Sequence, residues 1–162
     1  MEGRQKGYVM RDWQLFSTTD MTHWTQHPCP LSVFDFKWAT SKQAYAGHVA
    51  KRNGKYYFYV STNGSGIGVA VSDKITGPYK DAIGKPLLTR QDCFDSKHGW
   101  CCIDPAIVQY KGQWLFFSHN GGLPEGGSFS RSVVCEPLYN NTDGSIRNIP
   151  STTKGTCGLF NK

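Results

Sequence analysis

The hydrophobic residues of this chain fall in short, aromatic-rich runs separated by polar turns that contain Gly. Two stretches have the same build: VAKRNGKYYFYVS at 49–61 and IVQYKGQWLFFSH at 107–119. In each, two apolar residues lead into a polar turn carrying Gly54 or Gly112, and an aromatic run follows. Apolar runs on both sides of a short Gly turn are typical of a β-hairpin, so the pattern predicts two hairpins. The aromatic residues expected to alternate into the core are Tyr56, Phe58, Trp114 and Phe116.

A second pattern recurs around the hairpins. WQLFSTTDMTHW at 13–24 and GVAVSDKITGPY at 68–79 each show an apolar strand, Ser, Asp, a polar link and an aromatic residue. SRSVVCEPLYNNTDGSI at 130–146 is a looser third copy. Two elements recurring in one order, in a unit of about 58 residues, indicate β-propeller blades. The alternative is an ordinary antiparallel sandwich with chance similarity.

The length limits how much of a propeller the chain can form. A closed ring needs at least about 4 blades, whereas 162 residues hold fewer than three units of this size. We therefore predict an all-β fold, a partial propeller of two to three blades in a single domain. Its segments are the end of blade one at about 1–40, a second blade at 41–98, and third and last-blade-like segments at 99–162. Open propeller edges expose unpaired strands and apolar faces, which predicts self-association.

The patterns of charge and of hydrophobicity argue against nucleic-acid and membrane partners. The net charge is +6, but Lys and Arg are scattered singly, so we expect a solvated surface and no nucleic-acid site. No stretch reaches about 18 apolar residues, so no membrane partner is expected. The residues MEGRQKGYVM at the start lack the apolar core of a signal peptide.

Six cysteines give a separate indication of the compartment: Cys29, Cys93, Cys101, Cys102, Cys135 and Cys157. They form no C-x-x-C pair, so a structural zinc is not expected. The even count fits an oxidising compartment. Their pairing stays open at this point, because six cysteines allow about 15 connectivities.

Several motifs together resemble family 43 of the glycoside hydrolases. They are MRDWQLFSTTDMTHWTQH, AYAGHVAKRNGKYYFYVS, IGVAVSDKITGPYKDAIGKPLL, CIDPAIV and GGSFSRSVVCEPLYNNTDGSI. The family consists of five-bladed propeller enzymes that remove xylose or arabinose units from plant polysaccharides. The resemblance implies a β-xylosidase or arabinofuranosidase that inverts configuration in one step and acts on a plant cell-wall polysaccharide or oligosaccharide. Together with the cysteines it implies an extracellular protein.

Ile103-Asp104-Pro105 resembles the family motif that holds the second of three catalytic carboxylates. The resemblance gives Asp104 the role of tuning the acid's pKa and orienting the substrate. Proline favours an extended residue before it, so we expect extended backbone at Asp104 and a side chain turned towards a central cavity. An Asp-Pro turn without chemistry is the alternative.

We expect the family's other two carboxylates to be missing from this chain. The base normally lies upstream of the first residues here, and the stretch carrying the general acid is expected to be missing at about residues 108–110. Glu125 and Glu136 stand in no acid-like motif. We therefore expect weak or absent hydrolysis by this chain alone. A non-catalytic carbohydrate-binding module and a truncated structural product are the rival interpretations.

The resemblance also indicates four residues that would contact a sugar: Trp38, Tyr45, His48 and His119. For the aromatic pair the alternative is packing between blades, and for the histidines it is an ordinary position at a strand end. No cofactor is required. The resemblance allows a structural calcium ion and a cation near His119.

Overall fold

The computed structural model describes residues 9–62, 66–93, 102–127, 129–142 and 145–160. This part of the chain is built from strands, and its only helical turns are two short 3-10 segments, Val33–Asp35 and Arg90–Asp92. The predicted all-β class is confirmed. The strands before the first long hairpin are β1 (Asp12–Trp13), β2 (Phe16–Ser17), β3 (Thr25–Gln26) and β4 (Leu31–Ser32).

Two larger antiparallel sheets follow these short strands. Among the short strands, β1 pairs with β4 and β2 pairs with β3, and we count them together as the first unit. We call the sheet of order β5-β6-β7-β8 the second sheet and the sheet of order β11-β10-β9 the third sheet. The second sheet comprises β5 (Ala44–Arg52), β6 (Lys55–Thr62), β7 (Gly66–Ser72) and β8 (Lys80–Asp81). The third comprises β9 (Ile103–Tyr110), β10 (Gln113–Asn120) and β11 (Ser132–Pro137). None of the described helical segments is long and apolar enough to span a lipid bilayer.

Both predicted hairpins are confirmed, and their turns have the same backbone conformation. Asn53 and Gly54 have φ angles of 50° and 78°, and Lys111 and Gly112 have 47° and 78°. Two successive positive φ angles in a two-residue loop match the twist of paired strands, and Gly adopts them without a Cβ clash. The same turn chemistry therefore sets the register of β5 on β6 and of β9 on β10.

Side chains of the second sheet alternate between two separate hydrophobic cores. Tyr59 and Val69 lie in a core shared with the third sheet. Their neighbours Val60 and Ala70 lie in a core shared with the preceding short strands. Successive residues of a strand point to opposite faces, so this sheet is covered on both faces. The second sheet thus lies between two neighbours in chain order.

Equivalent aromatic residues of the two hairpins each pack on the strands that precede their hairpin in the chain. Phe58 lies edge-on to Trp13, with ring centroids 5.9 Å apart, in the core towards the preceding strands. Its counterpart Phe116 lies edge-on to Tyr59, at 6.4 Å, in the core towards the second sheet. In a two-layer sandwich, the face that carries Phe58 and the face that carries Phe116 would pack against each other. Each face instead packs on the strands that precede its hairpin in the chain, as successive propeller blades do.

One disulfide joins the described cysteines, between Cys93 and Cys102, with their Cα atoms 6.2 Å apart. Cys29, Cys135 and Cys157 carry free thiols. Cys101 lies outside the described residues. The division of the chain into blade segments remains a prediction.

Candidate functional site

Asp104 begins strand β9 next to the second sheet, in an unusual backbone conformation. Its φ is +57°, in the left-handed region, so the expectation of extended backbone there was wrong. Such a conformation costs a non-glycine residue about 1–3 kcal/mol and persists only where the surroundings hold it. The buried Ser61 hydroxyl accepts the Asp104 amide at 2.9 Å. This tertiary bond overrides the local preference of a residue before proline.

Two basic side chains bind the Asp104 carboxylate. His119 Nδ1 lies 3.0 Å from Oδ2, and Arg131 donates to the same oxygen at 2.9 Å. The Asp104 side chain is 30% exposed, so solvent reaches the site. Oδ1 has no hydrogen-bond partner within the described residues. The carboxylate is therefore held by one oxygen, and the other is available to accept a hydroxyl.

Equivalent positions of the two hairpins meet at this carboxylate. Ser61 ends the first hairpin run and His119 ends the second, 58 residues later, which is the offset from Gly54 to Gly112. Both side chains contact Asp104, one at its amide and the other at its carboxylate. The ends of β6 and β10 therefore converge on the start of β9.

His48 lies on β5, the strand of the second sheet that packs beside β9. Its Nδ1 accepts the amide of Ile107 at 2.7 Å. Ile107 is buried and stands three residues beyond Asp104 on the same strand. One ring nitrogen of His48 therefore connects the two sheets directly behind the site.

Tyr45 lies at the start of β5, opposite the end of β6. Its carbonyl accepts the Trp13 indole N–H at 2.7 Å, and its hydroxyl donates to Gln43 at 3.2 Å. The side chain is half-buried. Tyr45 thus joins the second sheet to the preceding strands, at the end of β5 that lies near the site.

Trp38 lies apart from the carboxylate. It packs on Phe36, with centroids 5.1 Å apart, and its indole N–H donates to Asp81 of β8 at 2.9 Å. A Cβ added at Gly68 of β7 would lie 2.7 Å from the Trp38 ring, so the ring lies directly against that strand. Within the second sheet, β7 contacts β9 much less extensively than β5 does. The structure therefore brings Asp104 and His119 into contact and places His48 on the neighbouring strand, whereas the described contacts of Trp38 are with the second sheet and Phe36.

The surroundings of His119 do not resemble a cation site. The described residues contain no group of three or more His, Cys, Asp or Glu side chains able to hold a metal ion. The Arg131 guanidinium lies on the carboxylate that a cation would need. We therefore derive no step through a metal, and the predictions of calcium and of a cation at His119 remain untested.

The two unassigned glutamates are placed away from this chemistry. Glu136 is buried on β11, and its carboxylate binds the amide and the hydroxyl of Thr152. Glu125 is exposed in the loop after β10. Neither bonds to Asp104, His119 or Arg131.

Sequence reasoning missed Ser61 and Arg131. The repeat offers a signal for Ser61, because its 58-residue counterpart is His119. For Arg131 the signal is topological: it directly precedes β11, whose first residue pairs with the last residue of β10, next to His119. A lone arginine among scattered basic residues gives no such indication by composition.

Comparisons with known proteins show which family this chain matches and which proteins it is similar to. The family described as "Glycosyl hydrolases family 43" matches residues 4–147. The chain is 34% identical to the β-D-galactofuranosidase xynD of Aspergillus niger over 135 residues, 75% of this chain and 36% of that protein. It is 32% identical to an arabinoxylan arabinofuranohydrolase of Paenibacillus polymyxa over 122 residues, 68% of this chain and 19% of that protein. The chain thus spans well under half of these relatives.

A comparison of structures addresses the fold alone. The endo-arabinase of Bacteroides thetaiotaomicron superposes with a TM-score of 0.62 at 19% identity, covering 80% of this chain and 43% of that one. Together with the family match it confirms a partial propeller, in which the chain supplies some of the five blades.

Proposed function

The chain belongs to family 43 of the glycosyl hydrolases, and from that premise we propose that it acts on O-glycosyl bonds of xylan- or arabinan-type polysaccharides. Relatives named as a galactofuranosidase and an arabinofuranohydrolase support a glycoside as ligand.

The observation that carries the proposal is the anchored carboxylate of Asp104. Its backbone is fixed by Ser61, and its Oδ2 is fixed by His119 and Arg131. A carboxylate carries about four lone-pair sites on two oxygens, so Oδ1 can accept hydroxyl groups of a bound sugar. Hydrogen bonds to a charged acceptor are worth about 1.5–3 kcal/mol. A carboxylate held in this way is suited to orienting a polyol.

We assign Asp104 an orienting role and not that of base or acid. Inverting hydrolysis needs one carboxylic acid to protonate the leaving oxygen and one carboxylate to activate water on the opposite side of the sugar. The described hydrogen-bond partners of the Asp104 and His119 side chains include no second carboxylate. We expect from the sequence that this chain lacks the acid and the base, and each absent group removes about 10²–10⁴-fold of rate. Hydrolysis by this chain alone should therefore be weak.

A non-catalytic carbohydrate-binding protein is the second candidate. The same observation favours it, because a carboxylate pinned by two basic side chains can bind hydroxyls without moving a proton. The two candidates differ in turnover and not in ligand.

The decisive experiment measures binding and turnover on one set of variants. Binding is followed by affinity electrophoresis in arabinoxylan and in debranched arabinan, and turnover by dye release from aryl α-L-arabinofuranoside and aryl β-D-xyloside. Asp104→Asn keeps the side-chain shape but removes the charge, and we expect about tenfold weaker binding, the loss of one such hydrogen bond. Asp20→Asn, in the exposed turn after β2, is the matched control and should bind like the parent chain.

The outcomes separate the candidates. Weak turnover that Asp104→Asn abolishes supports the enzyme, whereas binding without turnover supports the binding module. Failure of the parent chain to bind or cleave any of the four ligands would reject both.

We also propose that the protein works in an oxidising, extracellular setting. The Cys93–Cys102 disulfide supports this, because such bonds persist mainly outside the reducing cytosol. Fractionation that finds the native protein only in the cytosol, with both cysteines reduced, would contradict it.

A further inference from the structure

Strand β11 forms one edge of the third sheet, and a C-terminal segment lies along it. We call residues 150–157 the C-terminal strap. The Ser151 amide donates to the Asp92 carbonyl at 2.8 Å, and Thr152 bonds through its amide and hydroxyl to the buried carboxylate of Glu136. These bonds hold the beginning of the strap at two points, one of them on β11.

The end of the strap brings a second cysteine towards Cys135 of β11. A Cβ built on Gly155 would lie 2.7 Å from the Cys135 carbonyl oxygen, so the two backbones are in direct contact there. Thr156 follows Gly155 and lines the same surface cavity as Cys135. The strap then turns back, with the Cys157 amide donating to the Lys154 carbonyl at 2.8 Å. Such a turn keeps Cys157 within about 7 Å of Lys154.

Cys135 and Cys157 line the same surface cavity, together with strap residues and the start of β11. Both thiols are free, with Cys157 exposed and Cys135 partly covered. Cys29 lies elsewhere, with its thiol on the Trp13 and Leu31 carbonyls. Among the described free thiols, only these two share a cavity.

We propose that Cys135 and Cys157 form a second disulfide, which fastens the C-terminal strap to the edge of β11. The oxidant is a small-molecule disulfide such as oxidised glutathione. The thiolate of exposed Cys157 attacks it, releasing one reduced glutathione and leaving a mixed disulfide. Cys135 then loses its proton and attacks the Cys157 sulfur, releasing the second glutathione. Two protein thiols are oxidised, and one glutathione disulfide is reduced.

The surroundings of Cys135 set the order of these steps. Burial raises the pKa of the Cys135 thiol, and the charge of Glu136 adds to this, although the Thr156 side chain opposes it. The thiolate is the nucleophile in disulfide exchange, so the covered cysteine reacts second. Once formed, the bond closes residues 135–157 into a loop and prevents the strap from leaving an otherwise open sheet edge.

The chain offers an unambiguous mass-spectrometric test. Trypsin cleaves after Arg131, Arg147 and Lys154, which puts Cys135 alone in peptide 132–147 and Cys157 alone in peptide 155–162. The full chain is incubated in a glutathione redox buffer, free thiols are alkylated, and the chain is digested without reduction. We expect peptide 132–147 joined to 155–162, lighter than the sum of the two by two hydrogens. Peptide 91–97 joined to 98–111 reports a bond from Cys93 to the adjacent Cys101 or Cys102 and serves as an internal control for oxidation.

Variants make the result decisive. Cys157→Ser changes an exposed side chain, so it should fold normally and leave peptide 132–147 alkylated. Cys29→Ser should form the linked pair as the parent chain does. The inference is overturned if 132–147 is alkylated while the internal control is linked, or if either cysteine pairs with another peptide. It is independent of any hydrolytic activity, so it can fail while the proposed function stands.

Discussion

The contact between His48 of β5 and the Ile107 amide of β9 tests whether these two strands stabilise the packing of the second sheet on the third. Replacing His48 by Ala removes the acceptor of a buried backbone N–H, 2.7 Å from Nδ1. An unsatisfied buried amide costs about 1–3 kcal/mol. Ile107 is only 5% exposed, which leaves little access for a replacement water. We therefore expect His48→Ala to lower the free energy of unfolding by about 1–3 kcal/mol, or roughly 2–4 °C in Tm for each kcal/mol.

Urea unfolding followed by circular dichroism measures this loss, provided that fluorescence gives the same transition. His48→Asn is the matched variant, because its side-chain carbonyl can occupy the position of Nδ1 and accept the same amide. It should recover most of the loss. His27→Ala is the background control, since its bond to Ser17 is exposed and should contribute less than about 0.5 kcal/mol.

Two results would refute this reasoning. If His48→Ala unfolds at the same urea concentration as His27→Ala, the bond between β5 and β9 does not contribute to the free energy of unfolding. If His48→Asn is as unstable as His48→Ala, the loss comes from the packing of the ring and not from the acceptor.

Three further predictions concern backbone, charge and association. Gly66→Ala should lower the free energy of unfolding by at least about 3 kcal/mol more than Gly84→Ala does. Both glycines have positive φ, but only at Gly66 would a Cβ meet the Leu88 carbonyl oxygen, at 2.2 Å. Equal melting temperatures of the two variants would contradict this prediction. Burial opposes ionisation of Asp92, but its hydrogen bonds prevail and lower its pKa. Asp92→Asn should therefore cost about 1 kcal/mol above the unfolded pKa of about 3.9, and the gap should close as pH falls through the lower folded pKa; a gap in urea titrations that persists at pH 2 would show that charge is not its cause. Light scattering should detect oligomers that Val133→Lys disperses, since Val133 is 66% exposed on the third sheet, and a parent chain that is monomeric at all concentrations would count against association.

Sequence predicted the features that depend on neighbouring residues and missed those that depend on the fold. The hairpins were predictable because the Gly54 and Gly112 turns lie between alternating strands. The backbone of Asp104 was not, since the rule for a residue before proline is local and the bond from its amide to Ser61 spans 43 positions. Trp38 shows a different limit: an aromatic residue in a loop is equally suited to a sugar face and to a neighbouring strand, and its contact with a sugar stays a prediction beside its packing on Gly68.

The exposure of the site and the exposure of the third sheet have a common geometric cause. The second sheet buries both faces, but the third sheet has a described core only on the face towards β5–β8. His119 and Val133 are register partners on β10 and β11, so their side chains share the other face. That face leaves the side chain of His119 40% exposed and Val133 66% exposed. A surface that covered Val133 would therefore lie beside His119, which contacts the Asp104 carboxylate, so association and sugar binding at this site should influence each other.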